Sequence, residues 1–382
     1  MKKNYLFTPG PTMVPPEVSL AESQSIIHHR TPQFSQIFYE VSEDLKYLFQ
    51  TTGDVFTLMA SGTGAMEACV ANVLSRGSKA LVVASGKFGE RWAALCKCFG
   101  IETIVIDVEY GKAVNPEDIE SALKNTPGIN AVFTTQSETS TGVLHDIKTI
   151  ASIVKKHDAF IVVDAITGIG VHPLLVDEWN IDVAITGSQK GCMMPPGLAF
   201  VCVNKNAWSV IERADLPRYY WDFRKMRKSL QGKTTPFTPA VSLIMAMKVA
   251  LEMIKKEGIE NVWSRHARLA HATREAVKAL GLELFAGGCA SNVLTSIKAP
   301  EGIDVDKIIK KLRDETGVTF TGGQDTLKGK MIRIGHMGYV NEFDVIIAIS
   351  ALEKGLHEAG YKVELGKGLS MAQSLLVKST GK

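Results

Sequence analysis

The sequence predicts an α/β protein: a large domain built on a mostly parallel sheet flanked by helices, followed by a smaller C-terminal α+β domain. Two observations carry this prediction. Up to about residue 203, short apolar β-rich runs alternate with helical stretches, and the runs are nearly continuous in apolar residues. Parallel strands covered on both faces need that composition. After Pro239 the pattern changes to two long helical stretches, followed by short strands mixed with helices, which suits a separate α+β layer.

The elements follow in order. A strand is expected over 80–84 and an amphipathic helix over 90–99, then a strand over 103–108. The next helix opens at Asn115-Pro116, with asparagine as N-cap and proline in the first turn. Strands over 131–135, 160–163, 183–186 and 198–203 continue the series. The later part predicts helices over 240–257 and 261–280, strands over 292–297, 318–321 and 331–334, and helices over 305–315 and 342–359. The stretch from Gly366 is polar at its end and is expected to fray. The resulting division is an N-terminal arm over 1–16, a large domain over 17–258 and a small domain over 259–382.

Composition narrows the classes of function. At 382 residues the chain can bury a large core without disulfide or metal staples. Its 43 basic and 40 acidic residues are intermixed, so the net charge of +3 gives no reason to expect nucleic acid or an anionic membrane as partner. The six cysteines (Cys69, Cys96, Cys98, Cys192, Cys202 and Cys289) lack metal-ligand spacing and are expected as buried or half-buried reduced thiols, with no metal site. No apolar run is long enough to span a bilayer. A cytoplasmic location is therefore expected.

Open parallel sheets bind ligands at the carboxyl ends of their strands, so the residues just beyond each strand matter most. Asp164 follows one, Gly187-Ser188-Gln189-Lys190-Gly191 another, and Gln136 to Gly142 a third, while Ala60-Ser61-Gly62-Thr63-Gly64 precedes a helix. Alone, Asp164 reads as a turn cap and Lys190 as a surface lysine. Together they suit an aldehyde cofactor with a pyridine ring, which needs an amine for a Schiff base and a carboxylate for its ring nitrogen. The small residues around Lys190 permit close backbone approach to a ligand. The Ser61–Gly64 turn at a helix start is a potential phosphate cradle. Glu67 stands where a dinucleotide fingerprint needs its third glycine, which disfavours a nicotinamide-dependent dehydrogenase.

Several motifs occur together and in order: Phe7-Thr8-Pro9-Gly10-Pro11-Thr12, His29-Arg30-Thr31-Pro32-Gln33-Phe34, Ser61 to Glu67, and Gly86-Lys87-Phe88-Gly89-Glu90-Arg91-Trp92. They continue with Glu138-Thr139-Ser140-Thr141-Gly142, Val163-Asp164-Ala165, Gly187-Ser188-Gln189-Lys190, Thr235-Pro236-Phe237-Thr238-Pro239 and Arg333-Ile334-Gly335-His336-Met337-Gly338. With these motifs the chain resembles, nearly end to end, the class V aminotransferases of the fold-type I pyridoxal-phosphate superfamily, close to the alanine–glyoxylate and serine–pyruvate group. The resemblance implies pyridoxal 5'-phosphate as cofactor, with Lys190 bound to it as a Schiff base and Asp164 against its ring nitrogen. It implies Phe88 stacked on the ring, where relatives often carry tryptophan, and Thr139 near the ring oxygen, where they often carry serine. Gly62, Thr63 and Gln189 would hold the phosphate, with Ser61 also in the cofactor set. Thr235 and Thr238 would reach the neighbouring subunit's phosphate, implying a homodimer with shared active sites. A tyrosine common near Thr235 in relatives is not obvious here. Arg333 would bind the substrate carboxylate, and Gly10 lies in the N-terminal loop that helps to set substrate choice.

The reaction so implied moves an amino group from alanine or serine to glyoxylate or pyruvate. Cysteine desulfuration needs a catalytic cysteine near Arg333, and the loop Thr321-Gly322-Gly323-Gln324-Asp325 has none. Aminoethylphosphonate or ureidoglycine transamination, or a cofactor-binding accessory subunit without turnover, are the alternatives. Elsewhere, His28-His29 reads as a structural or substrate-adjacent loop, Arg224 to Lys228 as a solvated basic face, and Met193-Met194 as packing under the lysine loop.

Overall fold

The computed structural model describes residues 3–377. Its central sheet has seven strands: β1 (Asp54–Leu58), β2 (Lys79–Ala84), β3 (Glu102–Asp107), β4 (Ile129–Thr135), β5 (Phe160–Asp164), β6 (Val183–Gly187) and β7 (Ala199–Val203). Their spatial order is β1-β7-β6-β5-β4-β2-β3, and β7 alone runs opposite to the other six. The mostly parallel sheet is thus as the sequence predicts. The sequence pattern does not predict β1, nor the helix Pro32–Phe49 that packs beneath the sheet.

The period-two geometry of a strand explains the continuous apolar runs. In β4, Val132 enters one core cluster while Ala131 and Phe133 enter the cluster on the opposite face. In β6, Ala184 faces one side and Val183 and Ile185 the other. Both faces are therefore buried under helices. β3 is the exception: as an edge strand it leaves Val105 37% exposed.

The C-terminal part holds an antiparallel sheet of β8 (Leu294–Lys298), β9 (Thr321–Gly322) and β10 (Met331–Gly335), in the order β8-β10-β9. The expected strand over 318–321 is two pieces. Val318–Thr319 pairs with Tyr5–Leu6 of the N-terminal arm, and only Thr321–Gly322 joins β10. The helix expected over 305–315 is α-helical only over Val305–Lys311; a π-turn then runs to Thr316 and Gly317, at φ 83°, ends it.

The expectation of fraying from Gly366 is wrong through residue 376. Lys367–Leu376 is a helix whose Ala372 and Leu376 pack against Leu269, Ala272 and Ala276. Buried Glu353 accepts hydrogen bonds from Gly366 N (2.7 Å) and Leu369 N (2.9 Å), which anchors the helix start. Residues 378–382, the polar end of that expectation, lie outside the described residues. Four of the cysteines are buried and Cys289 is half-buried, but Cys98 is exposed at the end of helix Lys87–Cys98. Met193 and Met194 are buried beneath the lysine turn, and Arg224 to Lys228 lie on the helix Phe223–Gln231. Among the described residues no helix is long and apolar enough to cross a membrane.

Candidate active site

The carboxyl ends of β1, β2, β4, β5 and β6 meet at one edge of the sheet, and a cavity of about 110 Å³ opens there. Ser61, Gly62 and Thr63 line it from the turn after β1, Phe88 and Arg91 from the helix after β2, and Thr139 from the loop after β4. Asp164 ends β5, and Gln189 and Lys190 follow β6. Residues far apart in sequence are brought together because each parallel strand delivers its carboxyl end to the same edge.

Asp164 is almost fully buried, and its Oδ1 accepts a hydrogen bond from Ile166 N at 2.8 Å. Burial, with the neighbouring charge of Glu138, pushes its carboxyl up to about 7. A cation placed against it would lower that value again. Lys190 responds in the opposite sense: burial holds its amine down at about 8, although Asp164 pulls upward. An amine so depressed is available in its neutral, nucleophilic form. Its Nζ donates to the carbonyl of Pro9 at 2.6 Å.

The arm that carries Pro9 is fixed at both ends. Gly335 N donates to Phe7 O (2.8 Å), and Thr12 N donates to Gln189 O (3.2 Å). Gly10 therefore lies directly on the lysine. A Cβ at this position would stand 2.0 Å from Lys190 Nζ, and its φ of +116° also favours glycine.

Arg333, on β10, is not in the cavity lining but is bonded to the carbonyl of Thr139, which is. Its Nε donates to Gly322 O (2.9 Å) and its Nη1 to Thr139 O (2.7 Å). Burial lowers its pKa to about 10. Thr235 and Thr238 lie outside the cavity of their own chain. Thr235 is buried, with its carbonyl accepting from Arg30 at 2.8 Å, and Thr238 is exposed. Aromatic side chains approach that loop from the stretch just before it: Tyr220 stacks on Phe237 at 4.9 Å.

Several lining residues carry no signal of their own in the sequence. Ser137, Ile166 and Thr167 simply follow their strands. Arg91 belongs to one of the motifs but has no role implied by it, yet it stands three residues after Phe88 on one helix face. Its guanidinium lies 4.8 Å above the Phe88 ring and donates to Thr63 Oγ1 at 3.1 Å. No carboxylate among the described residues pairs with it.

The donor set fits pyridoxal phosphate. Ser61 is the N-cap of helix Gly62–Val73 but makes no side-chain capping bond, which leaves the helix amides and dipole for an anion. Thr63, Arg91 and Gln189 stand beside it. A lysine and an acid at adjacent strand ends complete the requirement.

The class-V aminotransferase family model matches residues 4–346. The chain belongs to that family. It is 45% identical, over 98% of both chains, to a protein from Synechococcus named as the small subunit of a soluble hydrogenase. It is 38% identical to a serine–glyoxylate aminotransferase of Methylorubrum extorquens, over 98% of this chain and 96% of that one. Among solved structures, the ureidoglycine–glyoxylate aminotransferase of Bacillus subtilis superposes with a TM-score of 0.94 at 29% identity, covering 98% of each chain. The protein is a pyridoxal-phosphate-dependent aminotransferase.

Proposed function

We propose that this aminotransferase moves the amino group of a small L-amino acid, alanine or serine, to a small 2-oxo acid, glyoxylate or pyruvate. The carrying observation is the pairing of Lys190 and Asp164, on adjacent strand ends, in one cavity with the Ser61–Thr63 turn. The choice of substrates rests on relatives such as the serine–glyoxylate enzyme. The same reading takes 1–16, 17–258 and 259–382 as arm, large domain and small domain. It also takes the chain as a homodimer in which Thr235 and Thr238 serve the neighbouring site.

When bound, the cofactor supplies a carbonyl that carries the amino group and a ring that accepts electrons from the substrate α-carbon. Lys190 would anchor the group covalently and, once released, its amine would take the proton from the substrate α-carbon and carry it to the next position. Asp164 would hold the ring nitrogen protonated. Phe88 would stack on the ring, Thr139 would serve the ring oxygen, and Ser61, Gly62, Thr63 and Gln189 would hold the phosphate. Arg333 binds the substrate carboxylate. Two of its N–H donors already hold backbone carbonyls, which fixes the plane in which the rest can form a fork. Gly10 leaves the approach to Lys190 open.

The name of the Synechococcus relative favours a second reading, a cofactor-binding subunit without turnover. Absorbance spectra of the wild type and Lys190→Ala separate the two. The expected wild type carries a borohydride-reducible cofactor band, which L-alanine or L-serine converts to the amine form and glyoxylate or pyruvate restores. Lys190→Ala lacks the reducible bond. A wild type that binds the cofactor but ignores every amino donor would support the subunit reading.

A further inference from the structure

Glu138 stands at the junction of the pieces that build the site. Its side chain is fully buried, yet it lies in the loop after β4 rather than in the cavity wall. Both carboxylate oxygens are occupied. One accepts from the backbone amides of Phe88 (2.9 Å) and Gly89 (3.1 Å), and the other from Ser140 N (3.0 Å) and Ser140 Oγ (2.6 Å). Ser140 Oγ in turn accepts from Lys87 N at 3.0 Å. The first three amides of helix Lys87–Cys98 are therefore held by residues about fifty positions away in the chain, and the helix's own N-cap, Gly86, offers no side chain. A Cβ on Gly86 would stand 2.6 Å from the Glu138 carboxyl carbon and 2.4 Å from Ser140 Oγ, so glycine is what lets the carboxylate reach the helix.

The helix so held carries Phe88 and Arg91, both in the cavity wall. The residue after Glu138 supplies the carbonyl that receives Arg333 Nη1. One short segment thus sets three things: the tilt of the Phe88 ring, the position of the Arg91 guanidinium and the plane of Arg333. Burial pushes the Glu138 carboxyl up, and the hydrogen bonds from Ser140, Gly89 and Phe88 at the helix start oppose that shift.

We infer that Glu138 is a positioning residue for catalysis, holding Phe88 and Arg91 against the cofactor through the start of helix Lys87–Cys98. The inference rests on the reading of the cavity given under Proposed function. Glutamine at this site keeps an oxygen for one pair of donors but turns its NH2 toward the other, so half of the bonding survives. Alanine removes all of it.

The test compares wild type, Glu138→Gln and Glu138→Ala by three measurements. Deuterium uptake in the cofactor-free proteins reads the protection of the Phe88 and Gly89 amides. Visible circular dichroism per bound pyridoxal phosphate reads the ring's orientation. Steady-state kinetics with L-serine and glyoxylate reads kcat and KM separately. The expected order in each is wild type, then Gln, then Ala. The dichroic signal weakens, and kcat/KM falls by about 10- to 100-fold in Ala, mostly through kcat, as for small misplacements around a reacting centre. Should Glu138→Ala not fold, Glu138→Gln carries the same test. Variants with lower melting temperature but wild-type dichroism and kcat would make Glu138 a structural cap only and overturn the inference. A wild type without any cofactor dichroism would instead overturn the reading of the cavity itself.

Discussion

Replacing Gly10 by alanine should report directly on the contact between the N-terminal arm and Lys190. The added Cβ would lie 2.0 Å from Lys190 Nζ, 2.5 Å from Cε and 2.6 Å from Cδ, far inside van der Waals contact, so the lysine chain must swing away. Swinging breaks the 2.6 Å bond to Pro9 O, a loss of about 1 kcal/mol, with up to about 1 kcal/mol more if the side chain leaves its rotamer. The backbone at φ +116° adds a separate cost for any Cβ, about 1–3 kcal/mol. The sum is about 2–5 kcal/mol, of which about 1–2 kcal/mol belongs to the lysine contact alone. A double-mutant cycle isolates that part: wild type, Gly10→Ala, Lys190→Ala and the double variant, each unfolded by urea without cofactor. Alanine at Gly10 should cost about 1–2 kcal/mol less when Lys190 is already alanine, well outside the ~0.5 kcal/mol scatter of independent sites. Equal costs in both backgrounds would show that Gly10 serves the backbone only and that the arm does not press on the lysine. In the cofactor-loaded enzyme the same substitution should lower kcat/KM by about 10- to 100-fold.

Two predictions concern pH. Burial holds the Lys190 amine at about 8 against an ordinary 10.5, so capture of pyridoxal phosphate by the cofactor-free protein should speed up about tenfold per pH unit up to about pH 8 and then level off. Stopped-flow reconstitution checks this, and a rise that continues to pH 10 would refute it. His336 is buried neutral, hydrogen-bonded to Asn292 O and Thr295 Oγ1, and burial holds it at about 3 against an ordinary 6.5. As pH falls below 6.5 the unfolded chain takes up this proton first, so the stability is complete above 6.5 and is lost toward the folded value. His336→Gln should lower the urea midpoint at pH 8 and flatten its decline between about pH 6.5 and pH 4, where the unfolded histidine alone titrates. An unchanged slope would remove His336 from the acid response.

Much of the fold is legible in the sequence because burial on two faces leaves a simple mark. β4 to β7 are anticipated within about two residues, since Val, Ile, Phe and Ala fill both faces of a covered parallel strand. β1 is not, because Asp54 and Thr57 interrupt its run. The antiparallel direction of β7 leaves no trace in composition, since a buried strand reads the same either way. The terminal helix escapes a local reading because its anchor, Glu353, is supplied from a different helix.

The sequence by itself determined the fold class, the family and the set of residue types at the strand ends: an acid, a lysine, hydroxyls and a glycine turn. These are local features, fixed by the side-chain period along each strand and by the few residues just beyond its end. Tertiary structure alone decided the rest. It brought Pro9 and Gly10 onto Lys190, tied Arg333 to the Thr139 carbonyl, left Thr235 and Thr238 outside their own chain's cavity, and set Glu138 at the start of the helix of Phe88. The contacts that do this join residues about fifty or more positions apart. Desolvation moves Asp164 and Lys190 toward each other in pKa. That too is a property of the assembled cavity, since water leaves only when the strand ends meet.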